Sequence, residues 1–141
     1  AETFGSQCVV VSVEAKRRGE GRWEALTDNG RERTGVDVLE WVVEAESLGA
    51  GELLITSVDA EGTRRGFDHA LFSAVRERVL IPVIGCGAGT ACHGQIVVLQ
   101  DLLGLSRWQP SFAQPIAAPV RNYLIIHPTD IRSVRTCTVY I

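Results

Sequence analysis

The sequence has no excess of basic residues: 14 Lys and Arg stand against 17 Asp and Glu, for a formal net charge of −3 and an isoelectric point near 5.6. No basic face is available for phosphate backbones, which excludes a nucleic-acid module. Long apolar runs are also missing. The longest, residues 7–13 and 51–55, fall far short of the roughly 20 residues that a membrane-spanning helix needs, so no membrane association is expected. The opening Ala-Glu-Thr-Phe carries no basic and apolar signal region, which leads to the expectation of a cytoplasmic protein. Cys8, Cys86, Cys92 and Cys137 form no CxxC pair, and Cys92-His93 lacks a second ligand pair at zinc spacing. No metal and no cofactor is therefore expected. The cysteines read as reduced thiols, with Cys8, set among valines, as a small core hydrophobe.

What is present fits one domain of ordinary size: 141 residues, 45% hydrophobic and 22% charged. Residues 7–14 form a β-branched run with little alternation, as expected for a strand buried on both faces. Lys16-Arg17-Arg18 and the glycines at 19 and 21 are expected to interrupt it. Residues 22–26 and 31–33 flank Thr27-Asp28-Asn29-Gly30, whose Asn-Gly pair suits a tight hairpin, read as an excursion from the main sheet. Thr34-Gly35-Val36-Asp37 opens a helix with Asp37 as cap or first-turn acid. Val38, Leu39, Trp41, Val42, Ala45 and Leu48 recur at helical spacing, with Trp41 read as core packing, and Gly49 closes the element. A second strand is expected over 51–58 and a polar loop over 59–66. A second helix from Asp68 carries the stripe Leu71, Phe72, Val75 and Val79, and a third strand spans 82–85 and ends in Gly85-Cys86-Gly87-Ala88-Gly89.

Strand, helix, strand, helix, strand is the signature of parallel β/α units, whose chemistry lies at the carboxyl ends of the strands. That rule puts Glu14, residues 56–63 and residues 85–89 on one rim. Residues 95–100 read as a possible fourth strand after a connection too short for a full helical crossover. Residues 106–119, with Pro110, Pro115 and Pro119, read as irregular, and residues 123–127 and 135–141 as strands. His69, His93 and His127 lie in separate segments and read as surface or internally satisfied groups. Arg17-Arg18 and Arg64-Arg65 read as solvated loops near the rim.

Several segments then line up with a known family. Phe4-Gly5-Ser6-Gln7-Cys8-Val9-Val10-Val11, Ala15-Lys16-Arg17, Gly21-Arg22-Trp23-Glu24 and Thr34-Gly35-Val36-Asp37 are followed by residues 48–57 and 59–68 in an order and spacing that resemble the carboxyl-terminal half of the cyclase subunit of imidazole glycerol phosphate synthase. The resemblance covers about residues 3–84. It implies histidine biosynthesis and a (βα)₈ (TIM) barrel. From about 81 to 113, Ile81-Pro82-Val83-Ile84-Gly85-Cys86-Gly87-Ala88-Gly89 and residues 92–105 look like the late strands of ketopantoate hydroxymethyltransferase, also a (βα)₈ barrel. The chain thus reads as an α/β protein, a parallel β/α half-barrel derived from a (βα)₈ barrel with an irregular or β-containing carboxyl-terminal tail. It is one domain over 1–141, with cyclase-like units over 1–89, a second-family-like segment over 90–118 and an unassigned tail over 119–141.

The cyclase resemblance implies site residues. Glu14 falls where the family has the catalytic Asp of its fifth strand, one methylene further from the backbone; a misplacement of about 1 Å can cost on the order of a hundredfold. The alternative for Glu14 is a rim carboxylate paired with Lys16 or Arg17. The partner Asp of the family's first strand belongs to the half that the resemblance does not cover, so impaired turnover is expected. The distal phosphate of the substrate would rest on backbone N–H groups at Gly62, Thr63, Gly87 and Ala88, where glycines allow close approach to an anion. Thr56 and Glu61 match cleft-lining positions, Glu61 where the family prefers Asp and Ala88 where it has glycine.

The resemblance further implies a phosphorylated small-molecule substrate, a bisphosphorylated ribonucleotide, and a glutaminase subunit as the source of ammonia. A half-barrel leaves one sheet face and its edges uncovered, and the whole barrel has approximate twofold symmetry, so a homo-oligomer is expected unless the tail folds back. The alternative function is a non-catalytic chimeric scaffold with at most weak phosphate binding.

Overall fold

A computed structural model of the chain describes residues 1–63, 66–85, 91–96 and, by their backbone, 117–120 and 123–126. Its main sheet has six strands in the order β3-β2-β1-β4-β5-β6: β1 (Val10–Gly19), β2 (Arg22–Thr27), β3 (Glu32–Asp37), β4 (Glu52–Ser57), β5 (Val83–Gly85) and β6 (Gly94–Gln95). β1, β4, β5 and β6 run parallel, while β2 and β3 continue the sheet antiparallel. The expected β/α order is therefore present, with α1 (Val38–Ser47) before β4 and α2 (His69–Arg76) before β5.

Three expectations are corrected at the start of the chain. The first strand begins at Val10, after a single 3-10 turn over Ser6–Cys8, so Cys8 precedes the sheet and is exposed rather than a core residue. Lys16, Arg17 and Arg18 do not interrupt the strand. β1 outruns β4, whose pairing ends at Ala15↔Ser57, and its last residues pair instead with β2, as in Lys16↔Glu24 and Arg17↔Trp23. The β2–β3 hairpin consequently stays in the sheet. Its turn is as expected, with Asp28, Asn29 and Gly30 all at positive φ (50°, 53° and 76°).

α1 starts where its cap dictates. Asp37 accepts hydrogen bonds from the N–H groups of Leu39 (2.8 Å) and Glu40 (3.3 Å), satisfying two of the donors that a helix start leaves open. It ends at Gly49, whose φ of +101° suits the residue just beyond a helix. Val38, Val42 and Ala45 are buried and Trp41 packs against them half-buried, but Leu48, past the last turn, is 70% exposed. In α2, capped by Asp68, the stripe Leu71, Phe72, Val75 and, just beyond, Val79 is buried as expected.

These helix residues form one core with Val13, Ala15, Leu53, Ile55 and Val83. Both helices thus lie on the sheet face that β1 and β4 turn through their odd-numbered residues. The opposite face carries Val10, Ser12, Glu14, Leu54 and Thr56, none fully buried. β1 and β4 are therefore not buried on both faces; among the described residues no helix covers this second side.

β6 pairs parallel with β5 through Ile84↔Gly94 and Gly85↔Gln95; the expected strand beyond Ile96 lies outside the described residues. β7 (Ala117–Val120) and β8 (Tyr123–Ile126) form a separate two-stranded antiparallel sheet. β7 starts within the stretch read as irregular from its prolines. Its Pro119 sits opposite Leu124, and a two-stranded ribbon has open edges where a missing N–H costs no ladder bond. The strand expected over 135–141, and His127, Cys86, Cys137, Arg64 and Arg65, lie outside the described residues.

Candidate functional site

The parallel strands bring Glu14 and Thr56 side by side: they are direct partners across β1 and β4, each half-buried, at the carboxyl end of the uncovered face. The Glu14 Oε2 is shut off from solvent and has no hydrogen-bond partner. Burial, then the negative charges of Glu61 and Asp28, push the Glu14 carboxyl above the ordinary glutamate value. Each cause penalises the ionised form, so this carboxyl holds its proton to a higher pH than a solvated one. A raised proton affinity is the direction that favours a general-acid role.

The rim-pairing alternative for Glu14 is overturned. The Lys16 ammonium pairs with Asp59, and the Arg17 guanidinium donates to Asp68 Oδ1 at 2.7 Å. Arg17 also donates its backbone N–H to Asp59 Oδ2 at 2.7 Å. Burial opposes ionisation of Asp59, yet hydrogen bonds from Lys16 and the Arg17 N–H hold it below the usual aspartate value. The two cations expected beside Glu14 are thus committed to other carboxylates. Arg17 and Arg18 are likewise paired strand residues, not solvated loop, with Arg18 bonded to Glu24.

The loop after β4 folds on itself. Ala60 and Glu61 donate their N–H groups to Ser57 O (3.1 and 2.9 Å), and Thr63 donates its N–H (3.2 Å) to Ala60 O. The Thr63 hydroxyl reaches the same carbonyl at 2.7 Å. Gly62, at φ +69°, and Thr63 are exposed. The Thr63 N–H is thus engaged within its own turn rather than offered outward. Glu61 lies close enough for its charge to act on Glu14. Gly87 and Ala88 lie outside the described residues.

Asp28 and Gly30 are the site neighbours that sequence reasoning missed. A Cβ built on Gly30 would stand 3.0 Å from Glu14 Oε2 and 3.1 Å from Val58, so the β2–β3 turn lies directly on the carboxyl. The signal was the pairing register: a turn centred on Glu20 sets Glu14 opposite Leu26, which leaves residues 28–30 just beyond it. Of the histidines, His69 is exposed in the first turn of α2. His93 is exposed; its Nδ1 accepts the Val83 N–H at 3.1 Å, and its backbone N–H donates to Val83 O at 2.8 Å. Among the described residues no group of three or more His, Cys, Asp or Glu side chains could hold a metal ion. No helix among them is long and apolar enough to cross a membrane.

Comparison with known proteins places the geometry in context. The family described as "Histidine biosynthesis protein" matches residues 1–101, past residue 84, where the resemblance was expected to fade. Two similar curated proteins are both called imidazole glycerol phosphate synthase subunit HisF. The one from Legionella pneumophila is 60% identical over 87 residues, 62% of this chain and 41% of the relative. The one from Synechococcus sp. (strain CC9605) is 47% identical over 102 residues, 72% of this chain and 40% of the relative. The chain spans about two-fifths of the length of these relatives. Its α/β architecture with parallel strands fits a fold derived from a TIM barrel. With the family match covering well over half its length, the chain belongs to the histidine biosynthesis protein family.

Proposed function

We propose that the chain is a cyclase-like half-barrel of histidine biosynthesis, of the imidazole glycerol phosphate synthase type, with Glu14 as its proton-transferring carboxyl. The observation that carries this reading is the buried, unpartnered Glu14 Oε2 at the carboxyl end of a parallel strand. Such a carboxyl can give a proton to a developing anion and later take one back, contributing a factor of about 10²–10⁴. Thr56, its neighbour across the strands, lines the cleft. Gly62 and Thr63, with Gly87 and Ala88, receive the phosphate of a phosphorylated ribonucleotide. A glutaminase subunit supplies ammonia. Glu61 acts through its charge, raising the proton affinity of Glu14.

The sheet face that bears Glu14 is only half-buried, which supports completion of the barrel by a second copy in a homo-oligomer. The chain is read as one domain, with a cyclase-like portion over 1–89, a portion like ketopantoate hydroxymethyltransferase over 90–118, and a tail over 119–141 of unassigned role.

Turnover of the ribonucleotide with ammonia as nitrogen donor tests the reading. Glu14→Gln is expected to lower it by about 10²–10⁴; a Glu14→Gln variant as active as the parent would refute it. Light scattering tests the assembly, and a strictly monomeric, stable species would count against it.

A second reading, a non-catalytic scaffold that binds phosphate weakly, draws support from the Thr63 N–H, which is spent on Ala60 O. Titration with inorganic phosphate at millimolar concentration separates the two. Shifts of the Gly62 and Thr63 amide signals without any turnover favour the scaffold. The absence of any shift removes the phosphate site from both.

A further inference from the structure

Among the described residues seven glycines adopt positive φ, including Gly30 and Gly35 on the same hairpin, at +76° and +74°. Their surroundings differ. A Cβ at Gly35 would meet nothing within 4 Å, whereas one at Gly30 would press on Glu14 Oε2 and on Val58. Gly35 calls for glycine by its backbone alone; at Gly30 an added Cβ would also crowd Glu14 Oε2 and Val58 by a few tenths of an ångström.

We propose that Gly30 is a positioning residue for Glu14: the bare backbone of the β2–β3 turn lies on the carboxyl and keeps Oε2 out of water and without a hydrogen-bond partner. The proposal deepens the acid–base reading of Glu14 and rests on it for its functional meaning, though the contact itself does not. Among the described residues, three elements besides β1 meet at this carboxyl. β4 contributes Thr56 at its side. The loop after β4 contributes Val58 against Gly30 and the charge of Glu61. The β2–β3 turn contributes Gly30 itself and the charge of Asp28. On β1, Lys16, two residues on from Glu14, is held by Asp59. A Cβ at position 30, 3.0 Å from Glu14 Oε2 and 3.1 Å from Val58, requires one of them to give by a few tenths of an ångström; the carboxyl, at the end of a flexible side chain, yields more readily, and its outward shift admits water to Oε2. The ionised form would then be better solvated.

The test follows the side-chain carboxyl signal of Glu14 with pH by NMR in the full chain, comparing the parent with Gly30→Ala and Gly35→Ala. Both substitutions carry the strain of an L-residue at positive φ; only the first adds a Cβ against Glu14. The Glu14 midpoint is expected to move down in Gly30→Ala and to stay at the parent value in Gly35→Ala. If Gly30→Ala does not fold, Gly30→Asn and Gly35→Asn give the same comparison with less strain, since Asn tolerates this region better. A Glu14 midpoint unchanged or raised by substitution at Gly30, or lowered equally by substitution at Gly35, would overturn the proposal. Because the readout is titration and not turnover, an inactive parent chain would sink the acid–base reading while leaving this result to stand or fall alone.

Discussion

Arg17 and Asp68, 51 residues apart in sequence, meet at 2.7 Å, and the same carboxylate accepts the Trp23 indole N–H at 3.1 Å and the Leu71 N–H at 3.2 Å. Arg17 also lies over the Trp23 ring, 5.1 Å from its centroid. One side chain therefore caps α2 and ties it to the β1–β2 ribbon that frames Glu14.

Asp68→Ala is predicted to destabilise the fold by about 2–4 kcal/mol, from a lost helix cap of about 1 and a stranded buried indole N–H of about 1–3. Trp23 is only 3% exposed, so its N–H has no water to turn to. Asp68→Asn keeps an acceptor and should lose less. Arg17→Ala, removing a half-exposed cation, should cost about 1 kcal/mol or less. Urea unfolding of the three variants gives the order; an Arg17→Ala loss as large as that of Asp68→Ala would reverse it.

Acid should unfold the protein through three carboxylates. Hydrogen bonds from Arg33 and from the Gly35 N–H, together with Arg18, hold Glu24 at about 2, down from 4.5. Burial pushes Asp68 up, but Arg17, Trp23 and the Leu71 N–H outweigh it and leave Asp68 low; Asp59 is low as well, as above. A depressed carboxylate contributes stability that is complete above its unfolded value and is lost as pH falls through the folded one. For Glu24 that window runs from 4.5 down to about 2. Glu14 has the opposite sign: its raised value favours the protonated fold, so its contribution fades as pH climbs past the ordinary glutamate value. The stability gap between parent and Glu24→Gln should accordingly be widest near neutrality and close toward pH 2, when melting temperature is followed against pH. A constant gap would contradict this.

Gly85 is fixed by packing. A Cβ there would stand 2.5 Å from the Phe72 ring and 3.1 Å from Phe67, two rings set edge to face with centroids 4.5 Å apart. Phe72 is fully buried and has nowhere to move. Gly85→Ala should cost about 1–3 kcal/mol by overpacking, against a small loss for Gly19→Ala, whose Cβ would meet nothing within 4 Å. Equal losses at the two positions would count against the packing account.

Local chemistry made parts of this fold legible in the sequence. Asp37 and Gly49 bracket α1 as cap and stop, the Asn29-Gly30 pair makes its hairpin turn, and the stripe from Leu71 to Val79 is buried. Contacts between distant segments were less legible. Lys16-Arg17-Arg18 resembles a loop because three cations in a row suggest solvent. They hold as strand because each finds a carboxylate: Asp59, Asp68 and Glu24. The isolation of Glu14 follows from those same pairings, since both cations expected beside it are taken. Cys8 was misplaced because its valine neighbours suggested a strand where the chain still makes a 3-10 turn.

The central claim is that Glu14 carries a proton it is reluctant to lose. Its side-chain carboxyl signal, followed from acid to neutral pH by NMR in the intact chain, reads this directly. The account predicts a midpoint above the 4.5 of an ordinary glutamate; a midpoint at or below that value would contradict it.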